Sequence, residues 1–108
     1  MTAHLGEFEQ LVLLALARLG DEGYGVSVRD EIQQRSGRAA TFSSVYAALG
    51  RLEEKRLLRS RHGEPTPERG GRRKKYFTLT AAGRTAIAES VLAVRTMARG
   101  LGPTLVQP

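Results

Sequence analysis

Apolar residues in the first half of the chain recur at helical spacing. From Gly6 to Leu19 there is no proline, and Phe8, Leu11, Val12, Ala15, Leu16 and Leu19 share one face, widened by Leu13 and Leu14. This predicts a helix with more apolar surface than one neighbour covers. Gly20-Asp21-Glu22-Gly23 is turn chemistry, and a second pattern opens at Gly25, with Val28 and Ile32 on one face until Ser36-Gly37 ends it. Thr41, Ser43 and Ser44 are N-cap types ahead of Val45, Leu49 and Leu52, whose i, i+4, i+7 spacing predicts a third helix with one buried face. The opposite face presents Ser44, Ala47 and Arg51, and apart from Arg51 it is small enough to approach a large flat partner closely.

Beyond Leu57 the period shortens to two. Leu58 and Ser60 share one parity while Leu57, Arg59 and Arg61 share the other, and Lys75 to Leu79 alternates through the strand-favouring Tyr76, Phe77 and Thr78. The intervening residues 63–73 are rich in Gly, Pro and charge, so two strands joined by a basic loop form a hairpin. Alternation sends Lys74 and Tyr76 to one face and Lys75 and Phe77 to the other, so not all the cations reach one partner. Thr80 caps a last helix running to about Arg99, with a stripe of Ile87, Val91, Val94 and Ala98, before Gly100, Gly102 and Pro103 stop it. The predicted fold is mainly α with a small β-hairpin, order α-α-α-β-β-α. Residues 1–80 form the body, 81–100 a C-terminal helix, and 101–108 a tail expected to be disordered.

Charge sharpens this picture. Residues 51–75 hold ten Lys or Arg against four acids, whereas the rest of the chain carries seven of each sign, so this segment accounts for the whole net charge of +6. A localised basic stripe is the footprint of a polyanion binder. The chain has no cysteine, which excludes disulfides, thiolate metal sites and a cysteine nucleophile and fits a reducing cytoplasm. Leu11–Leu19 is too short to span a bilayer, and the N-terminus lacks signal-peptide features, so membrane insertion is not expected. His4 and His62 have no second ligand at metal spacing, and Glu53 and Glu54 read as local ion-pairing groups. No metal, cofactor or catalytic constellation is expected, and no enzyme.

Two short helices in succession, the second with a polar face, followed by a basic hairpin, are the parts of a winged helix-turn-helix. There the third helix enters the major groove of double-stranded DNA and the hairpin reaches the backbone or the adjacent minor groove. The candidate DNA-binding residues are Ser43, Ser44, Tyr46, Ala47 and Arg51 on the third helix and Arg69, Arg72, Arg73, Lys74 and Lys75 on the wing. Ser44 and Tyr46 are read as phosphate hydrogen-bond donors near a helix N-terminus. Ser43 reads equally well as a cap, and Arg51 is either a DNA contact or a partner of Glu53 or Glu54.

Between about Leu5 and Arg84 the chain resembles the PadR family of bacterial transcriptional regulators. The residues that carry the likeness are Tyr24-Gly25, Ser44-Val45-Tyr46 with Leu49 and Arg51-Leu52-Glu53, and the run Arg69-Gly70-Gly71-Arg72-Arg73-Lys74-Lys75-Tyr76-Phe77-Thr78-Leu79-Thr80-Ala81-Ala82-Gly83. It departs from the family pattern at Ser43, at Gly50 inside the third helix, and at Arg56, where a helix-ending glycine is common. The resemblance implies a homodimer, usually a repressor, of the compact subgroup with one C-terminal dimerisation helix packed on the first helix of the other subunit. Phe8 and Leu11 with Ile87, Val91, Val94 and Ala98 are the residues expected at that interface. A small hydrophobic effector near it is a further implication, in an apolar cleft lined by Phe8, Leu11 and the last helix. The competing reading is a winged-helix interaction module whose basic hairpin docks an acidic partner.

Overall fold

Each helix begins where a short group can close its first turn. In the computed structural model, which describes residues 4–64, 74–102 and 105, α1 (Glu7–Leu19) follows Gly6, whose N–H donates to Glu9 Oε1 at 3.1 Å. A 3-10 turn at Gly20–Glu22 leads to α2 (Gly25–Ser36), where the Tyr24 N–H donates to Ser27 Oγ at 3.0 Å. In α3 (Phe42–Glu54) the cap is Thr41 rather than Ser43. The Ser44 N–H donates to Thr41 Oγ1 and the Thr41 N–H to Ser44 Oγ, each at 3.1 Å, a reciprocal pair that satisfies two otherwise orphaned donors. In α4 (Ala81–Ala98) the Gly83 N–H donates to Thr80 Oγ1 at 3.0 Å.

The helix ends differ in what they demand. Gly37 stops α2 in the left-handed region, at φ +73°. The end of α3 is a Schellman turn, with Arg56 N–H bonded to Glu53 O at 2.9 Å and Leu57 N–H to Leu52 O at 3.0 Å. Here the left-handed residue is Arg56, at φ +62°, a conformation that costs a residue with a Cβ roughly 1–2 kcal/mol.

Strands β1 (Leu58–His62) and β2 (Lys75–Leu79) pair antiparallel, with Leu58 opposite Leu79, Ser60 opposite Phe77 and His62 opposite Lys75. The Gly63 N–H carries the ladder one step further by donating to Lys74 O at 2.8 Å. On its other edge β2 is met by Gly23, whose carbonyl accepts the Phe77 N–H at 2.8 Å. The element order is the one predicted.

The core is formed by Val12, Leu13 and Leu16 of α1, Val28 and Ile32 of α2, Val45, Ala48, Leu49 and Leu52 of α3, and Leu57, Leu58 and Phe77 from the hairpin. The beginning of α4 closes it with Ala86 and Ile87. A Cβ on Gly83 would lie 2.1 Å from the Leu57 carbonyl oxygen, so only glycine lets α4 approach the turn before β1 this closely. Two hydrogen bonds hold it there, Thr80 Oγ1 to Arg56 O at 2.8 Å and Thr80 N–H to Leu57 O at 3.1 Å.

Ile87, expected at a subunit interface, is buried in its own domain because the first turns of α4 lie flat on the hairpin and α1. Val91, Phe8 and Leu11 are partly buried against the same core. Further along α4 the apolar residues are wet: Leu92 is 60% exposed, Val94 59% and Met97 79%. Beyond it the Leu105 N–H donates to Leu101 O at 2.9 Å.

Candidate nucleic-acid interface

Helix α3 meets a neighbour on three sides. Its buried face carries Val45, Ala48, Leu49 and Leu52. Because successive residues advance about 100° around a helix, Ser44, Arg51 and Lys55 fall on the flank facing α1, and Tyr46 and Glu53 on the flank facing α2 and the hairpin. What remains is a bare outer ridge of Ser43, Ala47, Gly50 and Glu54, all exposed. Nothing lies within 4 Å of where a Cβ on Gly50 would be.

This outer ridge is rotated from the expected one. Ala48 widens the buried arc toward α1, and Arg51 is drawn toward α1 by a group that the sequence did not single out, the carboxylate of Glu9. That side chain is only 8% exposed and receives Arg51 Nε at 3.2 Å and Lys55 Nζ at 3.2 and 3.3 Å. Burial pushes the Glu9 carboxyl up, but the Gly6 N–H and the Arg51 and Lys55 cations outweigh it and hold the group below the ordinary glutamate value. Arg51 therefore pairs with Glu9, 42 residues away, rather than with the adjacent Glu53 or Glu54.

The opposite flank explains two of the short motifs. A Cβ on Gly25 would lie 2.4 Å from the Tyr46 hydroxyl and 2.5 Å from the ring carbon that bears it, so the missing side chain in Tyr24-Gly25 is the seat of the Tyr46 ring. Tyr46 stays 53% exposed there, with its hydroxyl at the N-terminal end of α2. The Ser44 hydroxyl, by contrast, is engaged in the cap, donating to Thr41 O at 2.9 Å. Arg29 of α2 lies 4.2 Å from the centre of the Phe42 ring, which places another cation at the leading end of α3. It follows no charge run, and only its distance from Phe42 along the folded chain reveals it.

At the hairpin, alternation divides the cations as expected. Lys75 turns inward to Glu53, at 3.5 Å, and Glu53 also accepts from Ser60 Oγ. Lys74 turns the other way and lies 4.6 Å from the centre of the Tyr24 ring, while Arg61 lies 4.6 Å from that of Tyr76. The two tyrosines meet edge to face at 5.5 Å. This cation and aromatic cluster ties the loop end of the hairpin ladder to the start of α2, beside the Tyr46 flank of α3. Arg69, Arg72 and Arg73 lie outside the described residues.

An apolar hollow of about 250 Å³ opens between α1 and α2, lined by Leu11, Leu14, Ala15 and Ile32 and rimmed by Arg18 and Arg35. This hollow lies within one subunit and α4 does not line it, so it is distinct from the cleft expected at a dimer interface. No group of three or more metal-ligating side chains is present among the described residues, and none of their helices is long and apolar enough to cross a membrane.

Comparison with known proteins agrees with this architecture. A PadR family transcription regulator from Clostridium difficile is similar over 93% of this chain and 99% of its own, with a TM-score of 0.75 at 25% identity. Bacillus subtilis PadR in complex with operator DNA is similar over 79% of this chain and 47% of its own, with a TM-score of 0.68 at 21% identity, a likeness of fold. An uncharacterized 37.1 kDa protein in transposon TN4556 of Streptomyces fradiae is 42% identical over 76 residues, 70% of this chain, which spans only 19% of that relative. Residues 12–89 match the transcriptional regulator PadR-like family. The chain thus belongs to the PadR-like family of transcriptional regulators.

Proposed function

We propose that the protein is a sequence-specific DNA-binding repressor that acts as a homodimer on a pseudo-palindromic operator. The observation that carries this reading is the outer ridge of α3, whose Ser43, Ala47 and Gly50 leave the helix slim enough to seat in a major groove, with the hydroxyl of Tyr46 and the cations of the hairpin along one flank. Ser43 and Ala47 face base edges and Tyr46 donates to a phosphate. Ser44 acts indirectly, by fixing the N-terminus of α3. Arg69, Arg72, Arg73 and Lys74 supply phosphate contacts from the wing, with Lys75 contributing less because Glu53 holds it.

Dimerisation uses the second half of α4. Val94 and Met97, with Val91 and Ala98 beside them, form an apolar strip that a partner's α1, through Phe8, Leu11 and the 39% exposed Leu14, would cover, while the exposed Leu92 stands on another side of the helix. Two α3 helices would then read half-sites about one helical turn apart, on the order of 34 to 36 Å. Release by a small hydrophobic effector completes the proposal, with the hollow beside Leu11 and Leu14 as its nearest seat.

The test is fluorescence anisotropy with a duplex taken from upstream of the gene, beside a scrambled duplex of equal length at physiological salt. Preference for the upstream duplex by about a thousandfold or more supports a specific regulator. Equal, weak binding moves the operator elsewhere. Absence of binding to either at low salt refutes the DNA reading and favours docking of an acidic protein on the hairpin.

A further inference from the structure

Glu9 is the one buried charged residue among those described, and its two cationic partners come from the last turn and the C-cap of α3. Arg51 and Lys55 stand one turn apart, at residues i and i+4, and are 52% and 38% exposed. Neither is locked in the core; Lys55 Nζ also donates to the His4 carbonyl oxygen at 3.2 Å, so Arg51 is the freer of the two to exchange Glu9 for another anion at the edge of the α3 ridge. The Gly6 N–H at 3.1 Å fixes the carboxylate from its other side, so Glu9 stays while the cations move.

The geometry points to Glu9 as a specificity-setting residue that withholds Arg51 and Lys55 from the phosphate backbone of arbitrary DNA. This rests on the DNA-binding reading above and deepens it. Phosphates attract cations irrespective of sequence, so each cation free to reach one raises non-specific affinity and steepens its salt dependence. A carboxylate already paired with two cations makes their transfer to DNA an exchange of one anion for another. A loosely seated duplex offers no better geometry than Glu9. A duplex seated against the outer ridge brings its groups to Arg51 at fixed distance and orientation, and there the exchange is favourable. Glu9 is a positioning residue in this scheme and touches no DNA.

The experiment measures the affinity of wild type and Glu9→Gln for one mixed-sequence duplex as salt is varied. Glutamine keeps an acceptor for the Gly6 N–H and removes the charge. The slope of log affinity against log salt is expected to steepen by about 1.8 if both cations reach phosphates and by about 0.9 if one does. The larger change makes the fall in affinity from ~50 to ~200 mM salt about twelvefold greater than in wild type. The gain must disappear when Arg51→Gln and Lys55→Gln are added to Glu9→Gln, and it must exceed that of Glu89→Gln, which removes an exposed carboxylate from α4.

An unchanged slope, or an equal change in Glu89→Gln, overturns the inference while leaving the DNA reading intact. A wild-type protein without affinity for any duplex refutes that reading and this inference with it. Should Glu9→Gln melt below the assay temperature, Glu9→Met keeps the length of the buried side chain and carries the same expectation.

Discussion

Gly83→Ala sets helix propensity against packing, and the two give opposite signs. Alanine is favoured over glycine within a helix by roughly 1 kcal/mol, so propensity alone predicts a more stable protein. The structure predicts the reverse. The added Cβ would stand 2.1 Å from the Leu57 carbonyl oxygen, whereas a carbon and an oxygen in ordinary contact lie about 3.3 Å apart or more. The obstacle is backbone and cannot turn aside. Helix α4 must therefore retreat by about 1 Å, which strains the Thr80 bonds to Arg56 O and Leu57 O and lifts Ala86 and Ile87 from the core. Two weakened hydrogen bonds at about 1 kcal/mol each, with overpacking of about 1–3 kcal/mol, outweigh the propensity gain and leave a net loss of roughly 2–4 kcal/mol. Urea unfolding followed by circular dichroism, at one protein concentration for both variants, measures it. A Gly83→Ala protein as stable as wild type would refute the close-approach argument.

Other outcomes follow from the same geometry. Because the carboxyl of Glu9 is held below its ordinary value, its contribution to stability is fully present above the unfolded value of about 4.3 and is lost as pH falls through the lower folded value. Wild type should accordingly lose more melting temperature than Glu9→Gln over that acid range, and parallel curves would remove Glu9 from the account. Arg72→Ala with Arg73→Ala is expected to weaken binding to every duplex and flatten the salt slope by up to about 1.8, read by anisotropy. Val94→Ser with Met97→Ser, both on the wet part of α4, should shift the protein toward monomer in sedimentation equilibrium without lowering the monomer's helix content.

Much of the fold was legible because its boundaries are written in local chemistry. Thr80 and Gly37 act where their residue types predict, and the switch from helical to alternating period at Leu57 marks the hairpin. The cap of α3 was legible as a cluster of hydroxyls but not to the residue. Thr41 and Ser44 bond reciprocally, which leaves Ser43 outside the cap on the exposed ridge. The candidate site was less legible where its geometry depends on distant partners. An acidic residue in the first turn of α1 reads as a solvated helix-start charge, and no pattern of spacing announces that two cations from the end of α3 and its C-cap fold onto it. The same limit governs the stripe on α4. Periodicity reports that Ile87, Val91, Val94 and Ala98 share a side, but how far along the helix its own domain provides cover is set by where α4 runs past α1 and the end of β2.

The division of labour around α3 bears on how such a protein changes targets. Core packing, the Tyr46 seat on Gly25 and the Glu9 clamp all engage side chains off the outer ridge, so Ser43, Ala47 and Gly50 carry no structural duty beyond helix propensity. Exposed replacements of that kind usually alter stability by no more than about 0.5 kcal/mol, and adding a side chain at Gly50 gains helix propensity. On the proposed DNA reading, new base preferences at these three positions would therefore be accessible by single substitutions that leave folding nearly untouched. On that reading the ridge would be a reading head that can be rewritten on a fixed chassis.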